Sequence, residues 1–451
     1  MDNNISNELA LFHLRKSLSI DANHIPTISL ICEIYLINKK FDMIDDLIVN
    51  SIKRGLKSSE FHYLLAKKNL YCSSFEKAKF QIDQAINAEK NILKYYKLAI
   101  KILQNYNAEH LASPYLEMII KLDPNDGNAY YLLSKLITQK ENYKKKISLL
   151  EVTNDLISDH HQAQFDLAVS HMDTLHESND SQNDYLKIKN MFSPLLRIDQ
   201  YRPKVLYKLG ELELIKNNFP EAIKLLEEST KHDETKGIAS YKIANLKLLN
   251  EDFKSANLYF KKSFECEFRQ AECSFNIALI HFQGEKPQRA FEEFKKAELL
   301  LNLEKKELEK KSKKSANLND FDRARQLYTD SLNIRKLISK THLYIHKINP
   351  PSSLDDQQKN LMKIIDLDFD NFEAHYELGI HYLSFKEIDK AQKSFEYACE
   401  LNWEHINSHL QLARISLMKK KREKSKMHYQ IVLDLEPNNK EAIRNTELLV
   451  N

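Results

Sequence analysis

Apolar residues of matched size recur along this chain with a period of 34 residues. The clearest run pairs an alanine with a large apolar residue four positions later, at Ala222 and Leu226, Ala256 and Phe260, Ala290 and Phe294, and Ala324 and Tyr328. A fixed period of this size indicates one small helical unit that recurs. Each copy is too small to bury its own apolar face and therefore stacks on its neighbours. The length of 451 residues then counts repeats rather than globular domains.

The same period extends over nearly the whole chain. The alanine column is occupied, in order, by Ala10, Ile44, Ala78, Ala112, Lys146, Ile188, Ala222, Ala256, Ala290, Ala324, Gln357, Ala391 and Ser425. Four positions after each of these stands an apolar residue, in order Leu14, Ile48, Ile82, Leu116, Leu150, Phe192, Leu226, Phe260, Phe294, Tyr328, Leu361, Phe395 and Tyr429. Residues at i and i+4 lie on one face of a helix, so the two columns predict a recurring amphipathic helix.

A second column of small residues stands twelve positions before the first. It contains Cys32, Ala66, Ser134, Ala168, Gly210, Ala244, Ala278, Gly379 and Ala413. We call the helix that carries this column the first helix of a repeat, and the helix with the alanine column the second helix. The connection between them is a few residues long and often holds Asn or Asp, which forces the two helices into an antiparallel hairpin.

Composition supports an all-α chain and excludes several classes of function. Only 6 Gly and 10 Pro occur, which suits helices joined by short turns. The net charge of +3 is small for 67 basic and 64 acidic residues, so no chain-wide field favours nucleic acid or membrane. The five Cys lack metal or redox spacing and indicate reduced thiols in a cytoplasmic protein. No stretch is long and apolar enough for a signal peptide or a membrane span.

These features resemble the tetratricopeptide repeat (TPR) family. The resemblance rests on the Leu-Gly or Leu-Ala pair of the first helix, the alanine with its bulky partner four positions later, and the repeat endings Asp123-Pro124-Asn125 and Glu436-Pro437-Asn438. It implies an all-α fold, an α-solenoid in which about 12 helix hairpins form a right-handed superhelix with a C-terminal capping helix. The large aromatic residue that the family prefers early in the first helix is usually absent, as at Leu206, Ser240, Ser274 and His375.

Two interruptions of the period, between Lys146 and Ile188 and between Ala324 and Gln357, and one charged stretch suggest a division into segments. The interval from Lys146 to Ile188 is longer than one period. The additional residues form a polar stretch from His176 to Asp184. Lysine and glutamate dominate Glu304 to Lys314, which indicates either a long solvated helix or a partly mobile linker. We therefore predict an N-terminal TPR array (1–175), a polar insertion (176–187), a central array (188–300), a charged helical linker (301–320) and a C-terminal array with a capping helix (321–451).

The two ends of the repeat pattern differ. The pattern begins with an unpaired second helix from Asn7 to Ile20, which predicts an exposed apolar face that another subunit or an irregular cap would cover. It ends with a single helix from Lys440 to Val450, the polar-faced cap that such stacks need.

Motifs for catalysis are missing from the sequence. It contains no glycine-rich phosphate loop, no His-Glu-Xaa-Xaa-His zinc motif, no Cys-Xaa-Xaa-Cys pair and no nucleophile elbow. His342 and His346 stand four residues apart, as do His405 and His409, and such pairs can build a metal site. With 17 His in the chain, ordinary imidazoles are the simpler interpretation. We predict a protein that is not an enzyme and that has no cofactor and no metal site.

The resemblance implies that the first helices line a concave groove and that their fifth and ninth positions face the ligand. The fifth positions are Ser29, Tyr63, Lys97, Tyr131, Phe165, Tyr207, Tyr241, Phe275, Glu309, His342, Tyr376 and Leu410. The ninth positions are Glu33, Lys67, Lys101, Lys135, Val169, Glu211, Asn245, Leu279, Lys313, His346, Ile380 and Arg414. Seven aromatic rings at the fifth position suit an extended peptide, although the same rings could pack as core.

From these columns we predict a partner-binding set of twelve residues. Its members are Tyr63, Lys67, Lys97, Lys101, Tyr131, Lys135, Phe165, Tyr207, Tyr241, Asn245, Phe275 and Tyr376. The consecutive lysines at the ninth position form a positive stripe that favours an acidic or peptide-like protein segment, although a solvated face remains the alternative. The family's carboxylate-clamp pattern needs paired asparagines there and is not supported, because Asn245 stands alone.

Three hypotheses about function follow. The first is a scaffold that binds an extended segment of a partner protein in the groove. The second is an assembly or regulatory arm of a larger complex that docks through the unpaired front helix, with a membrane surface as one option for its location. The third is an RNA-binding helical repeat protein, which the sequence disfavours because RNA-reading hairpin repeats have a slightly longer period and little reason for the alanine column. Oligomeric state is left open.

Overall fold

The computed structural model describes residues 2–138, 142–175, 181–318 and 320–450. Over these ranges the chain forms 24 α-helices and short 3-10 helices at Glu109–Leu111 and Leu195–Arg197, without any β-strand. The chain divides into two compact units, Met1–Leu212 and Glu213–Asn451. The predicted all-α fold is confirmed, and each unit is a stack of antiparallel helical hairpins. The predicted segment boundaries stay predictions, and residues 176–180 of the polar insertion lie outside the described residues.

The first unit contains one leading helix and five hairpins. The leading helix is α1 (Asp2–Ile20), and the hairpins are α2 (Ile25–Ile37) with α3 (Phe41–Lys53), α4 (Ser59–Tyr71) with α5 (Phe75–Ala88), α6 (Leu93–Asn105) with α7 (Ser113–Leu122), α8 (Gly127–Lys135) with α9 (Tyr143–Leu156), and α10 (His161–Asp173) with α11 (Ser181–Phe192). Helix α12 (Arg202–Ile215) carries the boundary between the two units. As the sequence predicts, first and second helices alternate.

The second unit continues the same alternation. Its helices are α13 (Phe219–Ser229), α14 (Asp233–Leu249), α15 (Phe253–Glu265), α16 (Gln270–Gln283), α17 (Pro287–Asn317), α18 (Phe321–Ile348), α19 (Leu354–Leu367), α20 (Phe372–Ser384), α21 (Ile388–Leu401), α22 (Ile406–Met418), α23 (Arg422–Leu435) and α24 (Lys440–Val450). Helix α24 buries Ala442 against Ala413 and Tyr429 of the preceding hairpin. No helix within the described ranges is long and apolar enough to span a membrane.

The two residue columns form the contacts between helices. Every member of the first-helix column is buried, and eleven of the thirteen large residues of the second-helix column are at most 1 % exposed. The small residues allow close approach, as Gly379 shows. A Cβ atom at Gly379 would lie 2.6–2.8 Å from ring atoms of Phe395, which is itself fully buried. The period predicted from the sequence is therefore the packing register of the stack.

Helices α17 and α18 depart from the common hairpin. Each joins the second helix of one repeat to the first helix of the next, giving helices of 31 and 28 residues that pack side by side. No Gly, Pro or polar turn interrupts the chain near Leu301 or Ile334, so nothing ends either helix at the expected place. Of the two sequence-based alternatives for the charged segment, the structure has the helix, and Ser312 Oγ donates to the Ala324 carbonyl across the pair at 2.8 Å.

The turn inside the hairpins repeats as regularly as the helices. The left-handed backbone conformation, with φ between 53° and 60°, recurs 34 residues apart at Lys39, Ser73 and Asn107, at Asn217, Glu251 and Glu285, and at Lys386 and Lys420. The turn ends the first helix, and the next residues then start the second. This conformation costs about 1–2 kcal/mol for most residues other than Gly and Asn, so most of these turns are locally strained.

Replacing Glu251 by glycine is expected to stabilise the chain by about 0.5–1 kcal/mol, because glycine adopts positive φ without a Cβ clash and this gain exceeds its entropic cost in the unfolded state. Glu251 has φ of 57°. Urea unfolding followed by circular dichroism measures the change. Glu251→Ala is the matched control, since it removes the same carboxylate but keeps the Cβ. An equal gain from alanine would contradict backbone strain as the cause.

Candidate functional site

Side chains of successive first helices meet along one face of the first unit. Lys67 Nζ of α4 lies 2.6 Å from Glu33 Oε1 of α2, and Lys94 Nζ of α6 lies 2.6 Å from Glu60 Oε2 of α4. Both pairs join residues 34 apart in sequence. Equivalent positions of neighbouring first helices are therefore in direct contact, as stacking in register requires. We call the surface formed by the fifth and ninth positions of α2, α4, α6, α8 and α10 the first-helix strip.

Lys97 of the fifth column and Lys135 of the predicted positive stripe are also ion-paired. Lys97 Nζ lies 2.7 Å from Asp126 Oδ2, and Lys135 Nζ lies 3.4 Å from Asp166 Oδ2. Asp126 is held in place because it also caps α8, where its carboxylate accepts from the Ala129 amide at 3.2 Å. Both lysines are about half exposed, so solvent screens these pairs strongly. The strip therefore alternates in charge instead of being uniformly positive.

Lys101 differs from the other lysines of the strip. Its side chain is exposed, and it makes no ion pair or hydrogen bond with any residue that the structure describes. In the ninth column it stands between Lys67, which is bonded to Glu33, and Lys135, which is bonded to Asp166. The free ammonium of the strip is thus flanked on both neighbouring repeats by lysines that already hold a carboxylate.

Two tyrosines of the strip are half-buried and bonded to carboxylates or lysines. The Tyr63 ring lies beneath the ammonium groups of Lys67 and Lys94, which are 5.5 and 4.9 Å from its centroid. Burial and the nearby Glu33 carboxylate raise the pKa of Tyr63 to about 12. The hydroxyl of Tyr131 donates to Asp166 Oδ2 at 3.1 Å. Both residues are partly exposed.

Other predicted aromatic residues are packed into the core. Phe165 is buried against Phe192 and Tyr201, with ring centroids 5.9 and 6.3 Å apart. Tyr207 is buried as well, and its hydroxyl donates to Glu211 Oε1 at 2.9 Å. These two rings therefore pack as core, which was the alternative that the sequence left open. Little of either ring is available to a ligand.

Predicted residues of the second unit fall into the same two classes. Phe275 is buried between Phe294 and Tyr344, whereas Tyr241 and Tyr376 are half-buried. The Tyr241 hydroxyl donates to the Glu272 carboxylate, and burial together with this carboxylate raises the pKa of Tyr241 to about 12. Tyr376 lies against His405, with ring centroids 5.0 Å apart. The Asn245 amide donates to the Tyr241 carbonyl of its own helix at 3.0 Å.

The histidine pairs bind neighbouring side chains. His346 Nδ1 accepts from the Asn360 amide at 3.1 Å, and His409 Nδ1 lies 3.1 Å from His428 Nδ1. The described part of the chain contains no group of three or more His, Cys, Asp or Glu that is arranged to hold a metal ion.

Sequence reasoning missed three acidic residues that pair with lysines on and beside the first-helix strip. Glu60, Asp126 and Asp166 lie opposite lysines, yet none occupies a fifth or ninth position. One signal was available, because Glu60 and Lys94 have opposite charge at a separation of one period. The pairs Lys97–Asp126 and Lys135–Asp166 had no such signal, because their residues are not one period apart. Asp126 caps a helix, and Asp166 follows the fifth position.

Comparisons with known proteins add a distant likeness. No family model and no curated protein matches this chain. Similar solved structures include the TPR domain of P58(IPK), with 12% identity, coverage of 87% of this chain and 97% of that one, and a TM-score of 0.28. They also include the assembly chaperone of RpL4, Acl4, with 12% identity, coverage of 55% and 95%, and a TM-score of 0.41. A third is YrrB, a TPR protein with an unusual peptide-binding site, with 14% identity, coverage of 50% and 96%, and a TM-score of 0.28. The fold itself rests on the hairpins and columns described above.

Proposed function

We propose that this TPR-like repeat protein is a non-catalytic scaffold whose first-helix strip holds an extended, acidic segment of a partner protein. The observation that supports this most directly is the exposed Lys101, which lacks a partner in the described structure while Lys67 and Lys135 on either side are bonded to carboxylates. A partner carboxylate at Lys101 would complete an existing series of lysine–carboxylate contacts. Neighbouring repeats would bind successive residues of an extended chain in the same way.

The energetics of the strip are compatible with exchange of partners. In the pairs Lys97–Asp126 and Lys135–Asp166 the lysine is about half exposed, so solvent screens the attraction and the ammonium can also bind a partner carboxylate. Tyr63 and Tyr131 add apolar area at fixed positions, because the Tyr131 hydroxyl is bonded to Asp166 and the Tyr63 ring lies against Lys94. Specificity would then come from the order of charges and rings along the strip.

A photo-crosslinking experiment tests the proposal. A photoreactive phenylalanine analogue replaces Lys101 in one variant and Lys121, an exposed lysine on the second helix α7, in the control. Crosslinked partner peptides identified by mass spectrometry should be acidic and should come from the Lys101 position only. Lys101→Glu in the protein with its native strip should weaken capture of the same partner roughly tenfold, and Lys121→Glu should leave it unchanged. Equal adducts at both positions would exclude the strip as the binding surface.

The assembly-arm hypothesis also has an observation in its favour. Leu9 and Phe12 of α1 are 60% and 65% exposed, although both are large and apolar. A third crosslinking position at Phe12 separates the two candidates. Adducts at Phe12 with none at Lys101 would favour docking through α1. For RNA binding we find no comparable support, since carboxylates face four of the five lysines on and beside the strip.

A further inference from the structure

A cleft of about 270 Å³ opens between the second helices α19 and α21 of the second unit. The buried residues Ile365 and Leu378 form its floor, while Met362, Tyr382 and Tyr397 form its walls. Met362 and Tyr397 are about half exposed, so the cleft is open to solvent. None of its lining residues occupies a fifth or ninth position, so this surface is separate from the one proposed above.

Two buried polar side chains lie among the apolar residues of the cleft. His375 is 5% exposed, and its Nε2 lies 3.0 Å from the Phe369 carbonyl oxygen. A carbonyl oxygen only accepts, so Nε2 carries the proton and Nδ1 presents a lone pair. Neither this Nδ1 atom nor the hydroxyl of Ser394, which is 6% exposed, has a hydrogen-bond partner among the described residues. The cleft therefore presents an acceptor, on a buried side chain, that is unpaired among the described residues and free to accept a hydrogen bond from a ligand.

The α21 side of the cleft is basic. Lys393 is exposed and makes no ion pair within the described structure. Lys390 lies one turn away, bonded to Glu387 at 2.8 Å and 5.5 Å above the Tyr382 ring. On the α19 side stands Asp366. A ligand carboxylate would be attracted to Lys393 and repelled from the α19 side, which gives the ligand an orientation.

We propose that this cleft binds the tryptophan side chain of a partner protein whose neighbouring residues are acidic. An indole ring supplies the apolar surface that the floor and the walls require. Its N–H group is the donor that His375 Nδ1 lacks. A carboxylate next to the tryptophan pairs with Lys393. Tryptophan and tyrosine anchors that fill a desolvated pocket dominate the binding energy of many interfaces.

A peptide titration tests this proposal on the full chain. The probe is a fluorescein-labelled peptide, Glu-Glu-Trp-Glu-Glu, and fluorescence anisotropy follows its binding. Saturable binding is expected, with an affinity roughly tenfold weaker for Lys393→Glu and for Tyr397→Ala. Replacing the peptide tryptophan by alanine should abolish binding. Replacing it by benzothienylalanine, which keeps the ring shape but lacks the N–H donor, should weaken binding about fivefold through loss of the bond to His375.

Matched variants make the result decisive. Lys363→Glu changes the same charge on α19 outside the cleft, and Lys121→Glu changes it on the second helix α7, so both should bind the probe like the wild type. Far-UV circular dichroism checks that the exposed substitutions leave the fold intact. Equal affinity for the tryptophan and alanine peptides, or equal losses from Lys393→Glu and Lys363→Glu, would overturn the proposal.

Discussion

Phe294→Ala is expected to destabilise the second unit by about 3–5 kcal/mol, because it empties a fully enclosed site in the packed core. Phe294 is fully buried, and its ring stacks on Tyr344 with centroids 5.1 Å apart. Phe275 packs on it edge-on at 5.7 Å. The ring thus joins the first helix of its own repeat to the helix that follows, and its loss would weaken both contacts.

The control is the next member of the same sequence column. Tyr328 stands one period after Phe294 but is 55% exposed, so Tyr328→Ala is expected to change the free energy of unfolding by less than about 0.5 kcal/mol. The difference arises because Tyr328 belongs to the long helix α18, and no separate first helix follows to cover it. Urea unfolding of both variants measures the contrast. Similar losses from the two substitutions would contradict the packing described here.

Acidification from pH 7.5 to pH 5 is expected to lower the stability of the second unit by about 2 kcal/mol or more. Burial lowers the pKa of His428 to about 4, and the nearby His409 contributes to this shift. Burial also lowers the pKa of His346, His375, His381, His405 and His409. The histidines of the unfolded chain have ordinary pKa values near 6.5. Between pH 6.5 and pH 5 the unfolded chain therefore binds more protons than the folded chain does.

The sign and the pH window follow from these shifts. The stability that comes from keeping His428 neutral is fully present above pH 6.5. It is lost as the pH falls from 6.5 towards about 4, the pKa of His428 in the folded chain. Geometry gives the reason, because His409 Nε2 donates to the Trp403 carbonyl and its Nδ1 accepts from His428 Nδ1 at 3.1 Å. A proton added at His409 Nδ1 removes the acceptor and breaks this bond, and a proton added at His428 Nε2 places a charge beside the buried His409.

Two variants assign the pH effect. His428→Asn retains an N–H donor for His409 but does not titrate, so its loss of stability between pH 7.5 and 5 should be smaller than that of the wild type. His13→Asn removes an exposed histidine of α1 and should leave the pH dependence unchanged. Thermal unfolding at several pH values provides the measurement. If His428→Asn loses as much stability as the wild type, the histidine contact is not the cause.

The repeat itself was accessible from the sequence because its signal is periodic and local. Small residues such as Ala256 and Gly379 recur where helices approach closely, and large residues such as Phe260 recur where they interlock. The sequence also indicated the long helices α17 and α18, because no helix breaker lies near Leu301 or Ile334. The left-handed turns had a signal at Asn107 and Asn217 only, because Lys, Ser and Glu at the other positions do not indicate positive φ.

The candidate sites depended more strongly on the tertiary structure. The sequence placed Lys67, Lys101 and Lys135 in one column but did not show which of them has a carboxylate in reach. The cleft beside His375 could not be predicted from the sequence either, because its walls come from three helices whose lining residues share no period.

Sequence alone determined the helical repeat, its register and the first-helix positions that share a face, because each depends on the order of small, large and polar residues within one period. The tertiary structure decided which rings are buried, which lysine stays unpaired, where two repeats merge into one long hairpin and where a cleft remains open. Those features depend on distances between different helices, and such distances are set only when the helices pack together.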